Sequence, residues 1–276
     1  MSCLTPITIK NVKTGKYIEV NCGKCANCIT LKRMQWNFRF RQESENSYVT
    51  KFITLTYDDE HIELINRRAI QLFIKRFRKN GYKIKYFAVG EYGSHTQRPH
   101  YHLLFFFQKP YLSDEKLQRD VEDIWQNGNV SVLPANLGSL MYVTKDLFKA
   151  QKVVSDDTNG FLNCFHLQSQ GLGSNYINKN KDFHYSEISD MYDRNFICFD
   201  NGVKISMPRY YKNKIYGNVP EGIKAIVNKK LSDKFKDETD YNEILKNNPL
   251  YFKERSEAIE HKKAILIKRS KNKFTI

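Results

Sequence analysis

The chain has 276 residues, enough to bury a full core as one large domain or as one domain with appendages. Its 45 Lys and Arg against 30 Asp and Glu give a formal charge of +15, which suits a polyanionic partner, nucleic acid before others. No apolar run is long enough to cross a bilayer and Met1-Ser2-Cys3-Leu4-Thr5-Pro6 does not read as a signal peptide, so a soluble intracellular protein with no membrane partner is expected. The plainer alternative is a basic protein with a solvated positive surface, but 13% aromatic residues could also supply base-stacking platforms.

In chain order, short alternating residues (Ile7, Ile9, Val12, Tyr17, Ile18, Val20) with Thr14-Gly15 predict a hairpin ending near Asn21. Cys22-Gly23-Lys24-Cys25-Ala26-Asn27-Cys28 then leads into a predicted helix over 29–45. There Ile29, Trp36 and Phe40 fall near helical spacing, with Lys32, Arg33, Arg39 and Arg41 interleaved. Six cysteines in an intracellular chain should be reduced or metal-bound. Cys3, Cys22, Cys25 and Cys28 could together give four thiolates to a structural zinc ion, Zn2+, fixing the hairpin to the helix that carries Arg33 and Arg39. The spacing also resembles part of an iron–sulfur pattern whose downstream partner is missing, and unliganded thiols are the ordinary alternative. Cys164 and Cys198 stand alone, as core or surface thiols.

The middle of the chain carries the clearest pattern. Residues 49–57 are β-branched and aromatic, hence a strand. Residues 69–79 form a basic amphipathic helix with Ile70, Leu72, Phe73 and Phe77 apolar; 83–90 form a second strand and 93–99 a loop. His100-Tyr101-His102 opens a third strand that continues as Leu103-Leu104-Phe105-Phe106-Phe107. Ser113 can cap a helix over 114–125, Gly128-Asn129 turns into a strand over 130–133, and 135–150 reads as a further helix. Strand, helix, strand, strand, helix, strand is the split βαβ or ferredoxin-like order, an α+β fold with an antiparallel sheet and helices on one face. Beyond Gln151 the signal weakens: a turn-rich loop over 160–177 around Gly171-Leu172-Gly173-Ser174, a hairpin over 196–207 around Asp200-Asn201-Gly202, and an aromatic, basic helix start over 208–216. The expected units are 1–46, the Cys-cluster hairpin and basic helix; 47–217, the core; and 218–276, a Lys-rich helical tail that either binds DNA or is a solvated face.

Along a strand His100 and His102 point the same way and Tyr101 oppositely, so the two imidazoles can form two-thirds of a metal site, or simply satisfy core hydrogen bonds. Tyr142 and Lys145, three apart, share a helix face. A tyrosine is a poor nucleophile at its ordinary pKa of about 10. A nearby ammonium and a metal-polarised phosphate can overcome that and form a covalent phosphotyrosine. The ordinary alternative is a packed Tyr and a solvated Lys.

Three pieces in fixed order, Phe52-Ile53-Thr54-Leu55-Thr56, His100-Tyr101-His102 and Tyr142-Val143-Thr144-Lys145, resemble the three motifs of HUH endonucleases, the rolling-circle replication initiators. With the flanks Tyr57-Asp58-Asp59-Glu60-His61, Gly90-Glu91-Tyr92-Gly93 and Arg98-Pro99, the Cys22-x-x-Cys25-x-x-Cys28 cluster and Pro208-Arg209-Tyr210-Tyr211, the chain to about residue 217 is similar to replication initiators of gokushovirus-type microviruses, small single-stranded DNA phages. The resemblance implies an HUH endonuclease core over 47–217. It implies a site-specific nick in the single-stranded phage origin, with the 5′-phosphate kept on Tyr142 and a 3′-hydroxyl freed as primer.

By the same resemblance His100 and His102 become ligands of Mg2+ or Mn2+, and Lys145 orients Tyr142 or offsets charge on the phosphate. Glu91 is the chosen third ligand if the strand register puts it on the histidine face, with Asp58, Asp59 and Glu60 as competitors. Implied partners are single-stranded DNA, the host replication polymerase and, since nothing resembles a helicase phosphate-binding loop, a host helicase, all in the host bacterial cytoplasm. Many microvirus initiators carry Tyr-x-x-x-Tyr, whereas the second position here is Asp146. Circle closure then needs either a tyrosine from a second subunit of a homodimer or reattack of the free 3′-end on Tyr142. The alternatives to this reading are a non-catalytic, zinc-containing nucleic-acid-binding protein and a plasmid relaxase or transposase with the same chemistry.

Overall fold

The computed structural model describes residues 3–10, 12, 15, 17–93, 97–147, 164–186, 193–220, 222–224, 226, 247–251, 253–254, 257–258 and 261, with the backbone alone of 146 and 147. Most of the tail expected over 218–276, and the Thr14 half of the first hairpin turn, lie outside the described residues. Among the described residues no helix is long and apolar enough to cross a membrane.

Five strands form one sheet: β3 (Val49–Thr56), β4 (Ile84–Tyr92), β5 (Pro99–Phe107), β6 (Val130–Pro134) and β7 (Phe165–Gln168). Their order is β6-β3-β5-β4-β7, with every neighbouring pair antiparallel. Strand β5 sits at the centre, and its continuous apolar run is buried on both sides. Tyr101, Leu103, Phe105 and Phe107 point into one core and Leu104 and Phe106 into another.

Two helices cover each face. On the first, α2 (Arg67–Lys79) seats Ile70, Phe73, Ile74 and Phe77, and α3 (Asp114–Trp125) seats Leu117, Val121, Ile124 and Trp125. These spacings of three and four residues are the helical stripe that buries against a sheet. The Asn66 side chain accepts the Arg68 N–H, and the Ser113 hydroxyl accepts the Lys116 N–H, so each helix starts on a side-chain cap. On the second face lie α1 (Ala26–Glu45) through Phe40 and Trp36, and α4 (Leu137–Leu147) through Leu140 and Val143. The expectation of helices on one face is therefore corrected. A central antiparallel strand that is apolar on both sides needs a layer on both.

Helix α1 belongs to two cores at once. Phe38 faces away from the sheet, into a cluster with Ile197, Ile205, Met207, Tyr211 and Ile215. Those residues come from the hairpin β8 (Phe196–Cys198) and β9 (Lys204–Ser206) and from α6 (Arg209–Tyr216), as expected for 196–216. The fully buried Glu43 accepts from the Gly173 N–H at 2.7 Å and from Lys85 Nζ at 2.8 Å, tying α1 to β4 and to the turn at Gly173. The turn-rich loop expected over 160–177 is only partly a loop. Strand β7 and the start of α5 (Asn175–His184) fall within it, and 160–163 lie outside the described residues.

At the N-terminus β1 (Ile7–Lys10) and β2 (Tyr17–Val20) pair antiparallel, and the chain returns through Cys22 and Cys25 into α1.

Candidate metal and nucleophile site

The register of the sheet brings the first donor set together. His100 lies opposite Glu91 of β4 and Thr56 of β3; His102 lies opposite Val89 and Thr54. Glu91 therefore shares the histidine face, on the side covered by α1 and α4. Its Oε1 is 3.2 Å from His100 Nε2 and 3.3 Å from His102 Nε2. Among the described residues Glu91, His100 and His102 form one of two donor groups whose ligand atoms all lie within 4.8 Å of one another.

The outer ring nitrogens are occupied by the protein itself. His100 Nδ1 is 3.0 Å from the Arg98 carbonyl oxygen, which can only accept, so Nδ1 carries a proton. In a neutral ring Nε2 then presents a lone pair to a carboxylate oxygen, and two lone pairs at that distance need a proton or a cation between them. His102 Nδ1 meets Thr54 Oγ1 at 3.1 Å, while its Nε2 is buried and makes no hydrogen bond despite its approach to Glu91. An orphaned buried nitrogen aimed at a carboxylate fits a metal ligand better than a core histidine. Burial would raise the Glu91 pKa, yet its contacts with His100 and His102 hold it down to about 2.

Such ligand atoms sit about 2.0–2.2 Å from a divalent ion, which allows separations up to about 4 Å between them. The measured 3.2 and 3.3 Å contacts lie inside that limit. Only three side chains contribute, so coordination positions stay open toward the covering helix.

That helix carries the tyrosine. The Tyr142 ring stands edge-on to His102 with centroids 5.2 Å apart and to Phe52 at 6.1 Å, and the residue is 43% exposed. Phe52 in turn stacks on His102 at 5.3 Å and 18°. Leu140 and Val143 bury the inner side of α4, and the buried Thr144 donates to the Met141 carbonyl at 2.8 Å and reaches Asn37 of α1 at 3.3 Å. These contacts fix the rotation of α4 and hence where Tyr142 stands. Lys145 is exposed one turn further on, and the Asp146 side chain lies outside the description.

The competing carboxylates are engaged elsewhere. Asp58 accepts from the His61 N–H at 2.9 Å and meets His61 Nδ1 at 2.7 Å; Asp59 pairs with Arg98; Glu60 lines a separate cleft beside Tyr57 and His61. Thr54, Phe52 and the Arg98 carbonyl are the site partners that sequence reading did not single out. Phe52 and Thr54 stood inside the first motif, but only the register with β5 reveals that they touch His102.

The second donor group is Cys3, Cys22, Cys25 and Cys28. Cys3 Sγ lies 3.8 Å from Cys25 Sγ, and Cys22 Sγ 4.0 Å from Cys28 Sγ. Four sulfurs at about 2.3 Å around a tetrahedral ion would be about 3.8 Å apart, so the spacing fits zinc. Backbone N–H groups point at the sulfurs: Cys22 N at Cys3 (3.3 Å), Cys25 N at Cys22 (3.2 Å), Leu4 N at Cys25 (3.5 Å). Burial raises the Cys22 pKa, but hydrogen bonds from Thr5, Lys24 and Cys25 outweigh it and bring the thiol to about 6. Burial and the adjacent Cys25 sulfur push Cys28 up to about 12. Cys164 is half-buried and Cys198 exposed, both apart from this cluster.

Comparison with known proteins agrees with this arrangement. The family model for the ORF2-type replication-associated protein matches residues 50–151, the stretch that holds Thr54, Glu91, both histidines and Tyr142. Replication-associated protein VP4 of Bdellovibrio phage phiMH2K is 30% identical over 258 residues, covering 80% of this chain and 79% of that one. Replication-associated protein ORF2 of Spiroplasma virus 4 is 27% identical, covering 78% and 80%, and ORF4 of Chlamydia phage 1 is 27% identical, covering 72% and 54%. No solved structure matches the chain. With a donor set and a tyrosine inside the matched segment, and full-length likeness to phage relatives, the chain belongs to the microvirus-type replication initiators, the replication-associated proteins of small phages.

Proposed function

We propose that this protein is a metal-dependent endonuclease and strand transferase of the HUH type, nicking single-stranded phage origin DNA through Tyr142 to start rolling-circle replication. The observation that carries the reading is the convergence of His100 Nε2, His102 Nε2 and Glu91 Oε1 beside the half-exposed Tyr142. The strand order β6-β3-β5-β4 supports a ferredoxin-like core, with β7 added at one edge.

Glu91, His100 and His102 hold Mg2+ or Mn2+, which when bound polarises the scissile phosphate and offsets its charge. Tyr142 Oη attacks phosphorus and gives its proton to water. The P–O3′ bond breaks, the 3′ oxygen takes up a proton and leaves as a hydroxyl, and the 5′-phosphate stays on the tyrosine. Lys145 draws the phosphate toward the helix and offsets charge as it builds. Thr54 and the Arg98 carbonyl fix the two imidazoles so that both Nε2 atoms face inward. Cys3, Cys22, Cys25 and Cys28 hold a structural zinc ion that fastens the hairpin to α1. With one motif tyrosine, closure uses either a second subunit or reattack of the free 3′-end on the Tyr142 linkage.

The test is a denaturation-resistant adduct between the protein and labelled single-stranded origin DNA in Mn2+. Tyr142→Phe should lower the adduct by about 10³-fold or more. An undiminished adduct would move the nucleophile elsewhere. Absence of adduct and cleavage across origin-spanning oligonucleotides with wild-type protein would leave a non-catalytic DNA-binding protein.

A further inference from the structure

Helix α2 is thirteen residues long and holds Arg67, Arg68, Lys75, Arg76, Arg78 and Lys79 with no acidic residue. Two of these cations serve the fold. The Arg67 guanidinium lies 4.9 Å from the Phe165 ring centroid, and Arg78 donates to the Ile84 carbonyl at 3.1 Å while covering Tyr86. The other four, Arg68, Lys75, Arg76 and Lys79, are exposed, and none enters an ion pair among the described residues.

Counter-charge is close by but committed elsewhere. Helix α3 packs beside α2 and is rich in acids. Yet Asp114 pairs with Lys51 and Tyr111, Asp120 with Lys116 and Tyr82, and Glu122 accepts from Gln118. The cations of α2 thus remain available to an outside anion, next to a helix whose net negative charge would confine a polyanion to the α2 side.

Positions 68, 75, 76 and 79 lie on one side of the helix and, at about 1.5 Å per residue, extend over roughly 16 Å. At one phosphate per about 3.4 Å of axis for each strand of a duplex, that length faces roughly four or five phosphates. Both aromatic residues of α2, Phe73 and Phe77, are buried, so this surface offers no stacking platform. Single-strand sites combine basic tracks with exposed aromatics, whereas a purely cationic row suits the duplex backbone. Around Tyr142 the surface is the reverse, with Leu133, Leu137 and Met141 exposed.

We propose that α2 is a second nucleic-acid contact, in which Arg68, Lys75, Arg76 and Lys79 grip the phosphates of double-stranded DNA on the sheet face opposite Tyr142. The contact is independent of the nicking chemistry and is read without cleavage. In the full chain, Arg68, Lys75, Arg76 and Lys79 are replaced together by Gln, and binding to a blunt duplex of arbitrary sequence and to a single strand is followed by fluorescence anisotropy across a salt series.

For the duplex, the slope of log affinity against log salt should fall in magnitude by about 3 to 4, close to 0.9 for each lost contact; for the single strand it should fall by less than about 1. The pair Arg68→Gln and Lys79→Gln should show about half the duplex effect, which keeps the test available if the fourfold variant misfolds. An unchanged duplex slope overturns the proposal, as does an equal loss on the single strand. So does an equal effect from Lys116→Gln with Arg119→Gln on α3, since that would be loss of net charge rather than of a contact.

Discussion

The Cys3, Cys22, Cys25, Cys28 group and the Glu91, His100, His102 group both gather ligand atoms within 4.8 Å, but they are built differently. The cysteines come from the loops flanking a small hairpin and from the start of α1, and four sulfurs can surround an ion completely. The Glu-His-His set stands on two central, hydrogen-bonded strands and supplies only three atoms, with Tyr142 over the open side. A closed tetrahedral set suits a structural ion and an open set suits chemistry. The difference teaches that ligand number and the stiffness of the supporting backbone, more than proximity, separate the proposed roles.

The largest effect that could break this contrast is on the open set. His102→Ala should lower Mn2+-dependent cleavage of single-stranded origin DNA by roughly 10³-fold while leaving zinc content and the salt dependence of DNA binding unchanged. Cleavage within tenfold of wild type would remove His102 from the ligands. For the closed set, Cys28→Ser should weaken zinc binding by at least about 10²-fold, read by competition with a chromogenic chelator, and reduce cleavage far less.

The same competition carries a pH signature. At neutral pH Cys22, near 6, is mostly thiolate, whereas Cys28, pushed up to about 12, still holds its proton. Zinc must displace that proton, so affinity should rise with pH, by about tenfold or more between pH 7 and 8. A flat profile would mean that Cys28 is not a ligand. The smallest effect belongs to Thr54→Val, which removes the group holding His102 Nδ1. Mn2+ affinity should fall by about tenfold, measured by the metal dependence of cleavage, and an unchanged dependence would make Thr54 a packing residue only.

Much of this was legible in the sequence. The alternation that puts His100 and His102 on one face needs only the two-residue period of a strand, and the continuous Leu103–Phe107 run already marks a strand buried on both sides. That run argues against helices on one face, a conclusion that expecting a one-sided antiparallel sheet obscured. Glu91 was legible as a residue but not as a neighbour, because one step of register between β4 and β5 would turn it to the opposite core. Helix α1 shows little one-sidedness because Phe38 and Phe40 feed two different cores. Strand β7 was hidden because four residues beside a glycine-rich turn carry too little pattern, and it is defined by pairing with β4.

The hairpin of β4 and β5 has one more consequence, for how the site is assembled. Glu91 and His100 are nine residues apart, whereas His102 and Tyr142 are separated by forty. Closing the longer loop costs about 1 kcal/mol more in chain entropy, since the cost grows with the logarithm of length. The three donors therefore form a local unit of low contact order, and the nucleophile joins through long-range docking of α4.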